Sequence, residues 1–326
     1  MEAFEAQIYA KNLLEEAVSK QVQDIYLLPL GDHYQIYFRT AFTREESSHL
    51  PAGEALALMS HLKFLAGMNL GEHRRSQLGA TSYELSESQV RLRLSTVGDF
   101  RGHESMVIRL LPEAGQQSLH YWDDSFFAEL PKAPGLYLFA GPVGSGKTSL
   151  MYQLARKDFA GRQIMTIEDP VEIREEAFLQ LQLNSVIGSD YESLIKLALR
   201  HRPELLIVGE IRDPLTARMV FRASLTGMTV FSSIHAGSIP GVISRLRDFG
   251  LRDWEIKASL KSVLYQRLIA GKGLVDLAKE NFETKSPEAW NQKLSELHAT
   301  GHLTAHQLEA EQIKPERATE ADSADG

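Results

Sequence analysis

Gly135-Leu136-Tyr137-Leu138-Phe139-Ala140-Gly141-Pro142-Val143-Gly144-Ser145-Gly146-Lys147-Thr148-Ser149-Leu150 carries the strongest structural signal in the chain. An apolar strand runs into a glycine-rich loop, and a helix follows. The octet from Gly141 to Thr148 fits the pattern G-x-x-x-x-G-K-[ST]. At that spacing the glycines let backbone N–H groups wrap phosphates. The lysine reaches the β- and γ-phosphates, and the final hydroxyl holds Mg²⁺. The positive end of the following helix adds to the same anion site. Gly141, Pro142, Val143, Gly144, Ser145, Gly146, Lys147 and Thr148 are therefore the expected nucleotide-binding residues, with Thr148 the expected Mg²⁺ ligand.

Outward from this loop, strand and helix alternate. Apolar strands are expected at residues 163–167, 205–208 and 229–233, and helices at 149–157, 191–201 and 215–226. Such alternation predicts an α/β fold with a parallel sheet covered on both faces. Ligands of these sheets bind at the carboxyl ends of the strands. Here those ends carry Glu168-Asp169-Pro170, Gly209-Glu210 and Ile234-His235. A carboxylate at Glu210 can orient an attacking water; Gly209 stands where such a strand usually has aspartate. Glu168 can assist with water or Mg²⁺, and His235 can contact the γ-phosphate or report its presence. Blander readings exist for each. Glu210 can simply open a turn, Glu168 and Asp169 can be turn residues beside Pro170, and His235 can be an ordinary polar strand end.

The first part of the chain has an α+β pattern. Phe4, Ile8, Leu13 and Val18 mark an amphipathic helix. Strands are expected at 24–29, 34–39, 90–96 and 106–111, and a helix at 54–68. Residues 112–118 have linker composition. From about Trp254 onward the chain reads as helical, and 314–326 is acidic, polar and expected to be disordered. These boundaries give 1–111 as an N-terminal domain, 112–118 as linker, 119–270 as the nucleotide-binding domain and 271–326 as a helical C-terminal segment. Arg93 and Arg109 lie on strands, with Arg74, Arg75, Arg91 and Arg101 nearby in sequence. They form either a solvated basic face or a set of guanidinium groups that compensate γ-phosphate charge.

Composition removes several functions. The 326 residues include no cysteine, which excludes disulfides and Cys-ligated zinc. His298, His302 and His306 fall at i, i+4 and i+8 of an expected helix, a face able to hold adventitious metal; no zinc is expected. The net charge of −8 speaks against binding nucleic acid mainly through phosphate neutralisation. No apolar run is long enough to span a bilayer, and no signal-peptide pattern opens the chain, so the expected location is the cytoplasm.

Together these motifs resemble the type II secretion and type IV pilus ATPase superfamily. Residues 166–172 (TIEDPVE) look like its Asp box, 197–213 like its Walker B region with the same atypical glycine, and 225–235 like its His box. Asp24-Ile25-Tyr26, Leu62-Lys63, Ala66-Gly67-Met68, Arg93-Leu94-Ser95-Thr96 and Arg109-Leu110-Leu111 also have family counterparts. The resemblance covers about residues 20 to 270. It implies a RecA-like P-loop ATPase domain, a smaller α+β (PAS-like) N-terminal domain and a helical C-terminal addition. It also implies ATP and Mg²⁺ as ligands and arginines at 93 and 109 that close on the γ-phosphate. A homo-hexamer acting on an inner-membrane platform protein, peripherally at the inner face of the cell membrane, is expected, with no direct sequence-specific nucleic acid binding. Departures are Met228 for a family histidine, Ala80 for an arginine, and the missing tetracysteine module, adaptor domains and retraction signature. The short chain, the lack of cysteines and the missing retraction signature together resemble the competence-pilus assembly branch, as does the segment Leu197 to Arg202; retraction and type II secretion ATPases of the same superfamily are the alternatives.

Overall fold

The computed structural model describes residues 5–40, 43–111, 119–184 and 188–314. The expected linker at 112–118 and the acidic tail from 315 lie outside the described residues. The chain forms two compact units, Met1–Ala114 and Gly115–Gly326.

In the first unit, β1 (Asp24–Leu30), β2 (His33–Arg39), β3 (Arg44–Pro51), β4 (Gln77–Glu84), β5 (Gln89–Gly98) and β6 (Glu104–Leu111) form one antiparallel sheet. Its order is β3-β2-β1-β6-β5-β4. Helices α1 (Ala6–Ser19) and α2 (Ala52–Leu65) share a core with it. Leu13, Leu14, Leu58, Met59 and Leu62 pack with Ile25, Leu27, Leu92, Leu94, Met106 and Ile108. Because strand side chains alternate between faces, Arg93 and Arg109 fall on the opposite face from Leu92, Leu94 and Ile108. The strands missed from the sequence, β3 and β4, are the two edges. Each has a single buried residue, the rest being exposed or half-buried, so neither has the alternating apolar pattern that reveals a strand with one face in the core, and polar edges deter further pairing.

The second unit contains the short helix α3 (Phe126–Glu129) and strands β7 (Gly135–Ala140), β8 (Ile164–Glu168), β9 (Leu179–Gln182), β10 (Leu205–Ile211), β11 (Thr229–Ile234), β12 (Leu260–Ile269) and β13 (Lys272–Ala278). Their order is β13-β12-β7-β11-β10-β8-β9. All neighbours are parallel except the β12–β13 hairpin. Both faces are buried. Leu136 and Leu138 join α5 (Tyr191–His201), α6 (Pro214–Ser224), α7 (Ile239–Asp248) and α9 (Glu288–Ala299) in one core, whereas Tyr137 and Phe139 join α4 (Lys147–Asp158) in the other.

The expectation of helix from Trp254 onward is corrected. Helix α8 (Asp253–Ser259) is short and gives way to β12 and β13. Buried on both faces, with Tyr265 in one core and Leu264 in the other, β12 is a run of apolar residues interrupted by Lys261-Ser262 and Gln266-Arg267, without strict alternation. Such a run satisfies helical and strand periods alike. Ala270 and Gly271, both at positive φ, close the two-residue hairpin loop. The remaining helices, α9 and α10 (Ala305–Glu311), pack together, and Trp290 is buried against Tyr265.

Candidate nucleotide site

The carboxyl ends of β7, β8, β10 and β11 bring the expected residues of the second unit to one edge of the sheet. After β7 the chain turns through Gly141, Gly144 and Gly146, all at positive φ. Side chains cannot replace hydrogen at the first and last of these. A Cβ on Gly141 would lie 2.3 Å from the Gln266 carbonyl oxygen, and one on Gly146 would lie 2.8 Å from Gln266 Nε2. Strand β12 thus backs the loop closely. Gln266 is fully buried, and neither its amide oxygen nor its nitrogen has a hydrogen-bond partner among the described residues. The buried Ser145 hydroxyl is in the same condition. Unsatisfied buried polar groups are costly, and a glycine cradle edged by them fits a polyanion.

Lys147 is buried. Its Nζ donates to the carbonyls of Gly141 (3.0 Å) and Pro142 (2.7 Å). Burial pulls its pKa down to about 8, while the charges of Glu210 and Glu172 act in the opposite sense. Thr148 donates to Glu172 Oε2 at 3.3 Å. Oxygen donors of this kind suit Mg²⁺.

At the end of β10 the register slips by one residue. Val208 pairs with Ser232 but Glu210 pairs with Ser233, which leaves Gly209 as the bulged residue. A bulge re-aims the side chain that follows it, and the Ser233 hydroxyl donates to the Gly209 carbonyl at 2.6 Å. Glu210 then meets His235 Nε2 at 2.9 Å and Arg212 Nε at 2.8 Å. Two sequence-expected residues, Glu210 and His235, are therefore in direct contact.

Glu168 has different surroundings. Its carboxylate is buried and accepts from the Tyr152 hydroxyl (2.5 Å) and Thr166 Oγ1 (2.6 Å). Burial raises its pKa, against the opposing effect of those two hydrogen bonds. Tyr152 lies one helical turn beyond Thr148, a spacing visible in sequence; Glu172 stands within the Asp-box run. No local signal marks Gln266, because only sheet order brings β12 beside β7.

Met228 precedes β11, whereas His235 follows it. The length of the strand, about 20 Å, separates them, so the replaced histidine does not belong to this edge. Met228 instead lines a cavity of about 730 Å³ at the opposite edge, with Tyr137, Phe159 and Phe231 among its walls.

Arg93 and Arg109 belong to the first unit, where they are cross-strand partners. The same row continues through Asp24 to Arg39. Arg109 Nε lies 2.7 Å from the buried Asp24 carboxylate. The three histidines expected on one helical face are separated: α9 ends at Ala299, Gly301 turns at positive φ, and His306 lies on α10. His298 bonds the Leu303 carbonyl and His302 packs on Trp122.

The family of Type II/IV secretion system proteins matches residues 2–313 of the sequence. Competence protein ComGA of Streptococcus pneumoniae is 51% identical over 306 residues, 93% of this chain and 97% of that protein. Competence protein ComGA of Bacillus subtilis is 38% identical over 269 residues, 80% of this chain and 75% of its own length. The solved structure of the pilus retraction motor PilT with bound ADP shares the fold, with a TM-score of 0.72 at 21% identity over 93% of this chain and 97% of that one. On the family match and the near full-length identity, this chain belongs to the type II/IV secretion system protein family.

Proposed function

We propose that this chain, an ATPase of the type II/IV secretion family, is a hexameric motor that powers assembly of a competence (type IV-like) pilus or pseudopilus for DNA uptake. In this reading the second unit is RecA-like and the first PAS-like. The motor works at the inner face of the membrane on a platform protein. The observation that supports the competence assignment is the 51% identity to a competence protein across 97% of that protein's length.

The chemistry follows from the site. The phosphate loop binds the triphosphate, and Lys147 exchanges the Gly141 and Pro142 carbonyls for phosphate oxygens. Mg²⁺ bound beside Thr148 supplies charge neutralisation for the phosphates. Glu210, held by His235 and Arg212, orients the attacking water. Arg93 and Arg109 compensate charge on the γ-phosphate, and its release reopens the site as a hinge.

The test has two arms. Turnover per subunit across a dilution series should rise with concentration as rings form. Arg93→Ala and Arg109→Ala should keep nucleotide binding and lose hydrolysis. Flat specific activity in a verified monomer, with normal turnover in both variants, would refute the motor.

A further inference from the structure

Strand β12 brings one polar side chain to the back of the phosphate loop. Tyr265 pairs with Ala140, the last residue of β7, so Gln266 stands level with Gly141, where the loop begins. Gln266 is fully buried. A Cβ on Gly146 would lie 2.8 Å from Gln266 Nε2, 2.9 Å from Leu119 Cδ2 and 3.5 Å from Leu268 Cδ2. The amide therefore lies against the Gly146 backbone, with two leucines beside it. Neither amide atom has a hydrogen-bond partner among the described residues. Burying a donor and an acceptor in that condition is costly, and an aliphatic side chain of the same length would fill the place without the cost.

The geometry of a phosphate loop supplies the missing partner. Backbone N–H groups of such a loop turn toward the phosphates. In a trans peptide the N–H and the C=O point in opposite directions. When the Gly146 N–H faces a phosphate, the Ser145 carbonyl of the same peptide faces the other way, toward the strand behind. That strand is β12, and the donor it presents there is Gln266 Nε2. Lys147 holds the Gly141 and Pro142 carbonyls, and its transfer to phosphate oxygens lets the loop make this turn.

We infer that Gln266 is a positioning residue of the nucleotide site: its Nε2 donates to the Ser145 carbonyl when the loop closes on phosphate, and so holds the loop in its binding form. This rests on the nucleotide-binding reading of the loop. Gln266 acts through the loop backbone and touches neither phosphate nor Mg²⁺. Its buried amide destabilises the open loop and stabilises the closed one, and both effects favour the bound nucleotide.

The test uses Gln266→Met in the full chain, because methionine keeps the length and volume of glutamine and removes both polar atoms. Two quantities are measured in chelator: the unfolding equilibrium without nucleotide, by denaturant, and the affinity for ADP, by calorimetry. Without nucleotide the variant should be more stable than the parent, with a folding equilibrium constant about tenfold higher. Its ADP affinity should fall by about tenfold or more. A residue that merely fills space would give the first effect without the second, so ADP affinity within about twofold of the parent overturns the inference. A variant less stable than the parent without nucleotide also overturns it, since the amide would then be paired in the open loop. Gln266→Leu carries the same two expectations and replaces the methionine variant if that one does not fold. If the parent chain itself fails to bind ADP, the phosphate-loop reading fails instead, a separate outcome.

Discussion

Replacing Lys147 by methionine separates function from stability. The buried ammonium has a pKa of about 8 in the fold against 10.5 unperturbed. Two and a half units at 1.36 kcal/mol each make the charged lysine a net cost of about 3 kcal/mol to the folded state. Below pH 8 both folded and unfolded chains hold the proton, so the cost is fully present. Between pH 8 and 10.5 the folded chain releases its proton first and the cost fades. Above 10.5 it is gone. Methionine has a similar length and no charge to desolvate. It leaves the Gly141 and Pro142 carbonyls without the lysine, but the loop is partly exposed and water can replace one donor, which offsets about 1–2 kcal/mol. Lys147→Met should therefore be between neutral and about 2 kcal/mol more stable at pH 7 in chelator without nucleotide. That advantage should disappear as the pH approaches 10.5. Adding ADP at 100 times its dissociation constant should stabilise the parent by about 2.7 kcal/mol and the variant not at all. The assay is reversible denaturant unfolding at pH 7, 9 and 10.5, with and without ADP. A variant that loses 2 kcal/mol or more at pH 7 without nucleotide would show instead that Lys147 holds the fold together.

Glu210→Gln keeps shape but loses the charge that His235 and Arg212 face. Phosphate release should fall by about 10²–10⁴-fold with nucleotide affinity nearly unchanged, and a parallel loss of both would make Glu210 structural. Met228→His restores the family residue at the far edge of the sheet, so steady-state turnover should stay within about twofold; a large change in either direction would place Met228 in the catalytic cycle. Trp290→Ala removes a fully buried indole packed on Tyr265 and should cost about 3–5 kcal/mol of unfolding free energy. A loss under 1 kcal/mol would mean that α9 is not part of the core of the second unit.

Local pattern along the chain encodes a large part of this molecule. Six apolar residues followed by the glycine-rich octet specify strand, loop and helix over a single contiguous stretch. Alternation of strand and helix from Gly135 to Ile234 specifies a parallel sheet, and the chemistry of such sheets directs attention to Glu168, Glu210 and His235 at strand ends. Those inferences need only neighbours in the chain. Tertiary structure decided what depends on neighbours in space. The order of the strands put Gln266 behind the loop although it lies well over a hundred residues later in the chain. A one-residue bulge at Gly209 turned Glu210 toward His235, while burial drew Glu168 toward Tyr152 and left Glu172 at Thr148. Opposite ends of β11 separated Met228 from His235. The edges of the first sheet and the β12–β13 hairpin escaped the sequence for the same reason in two forms. Exposed edge strands lose the alternation that marks a strand, and a strand buried on both faces never has it.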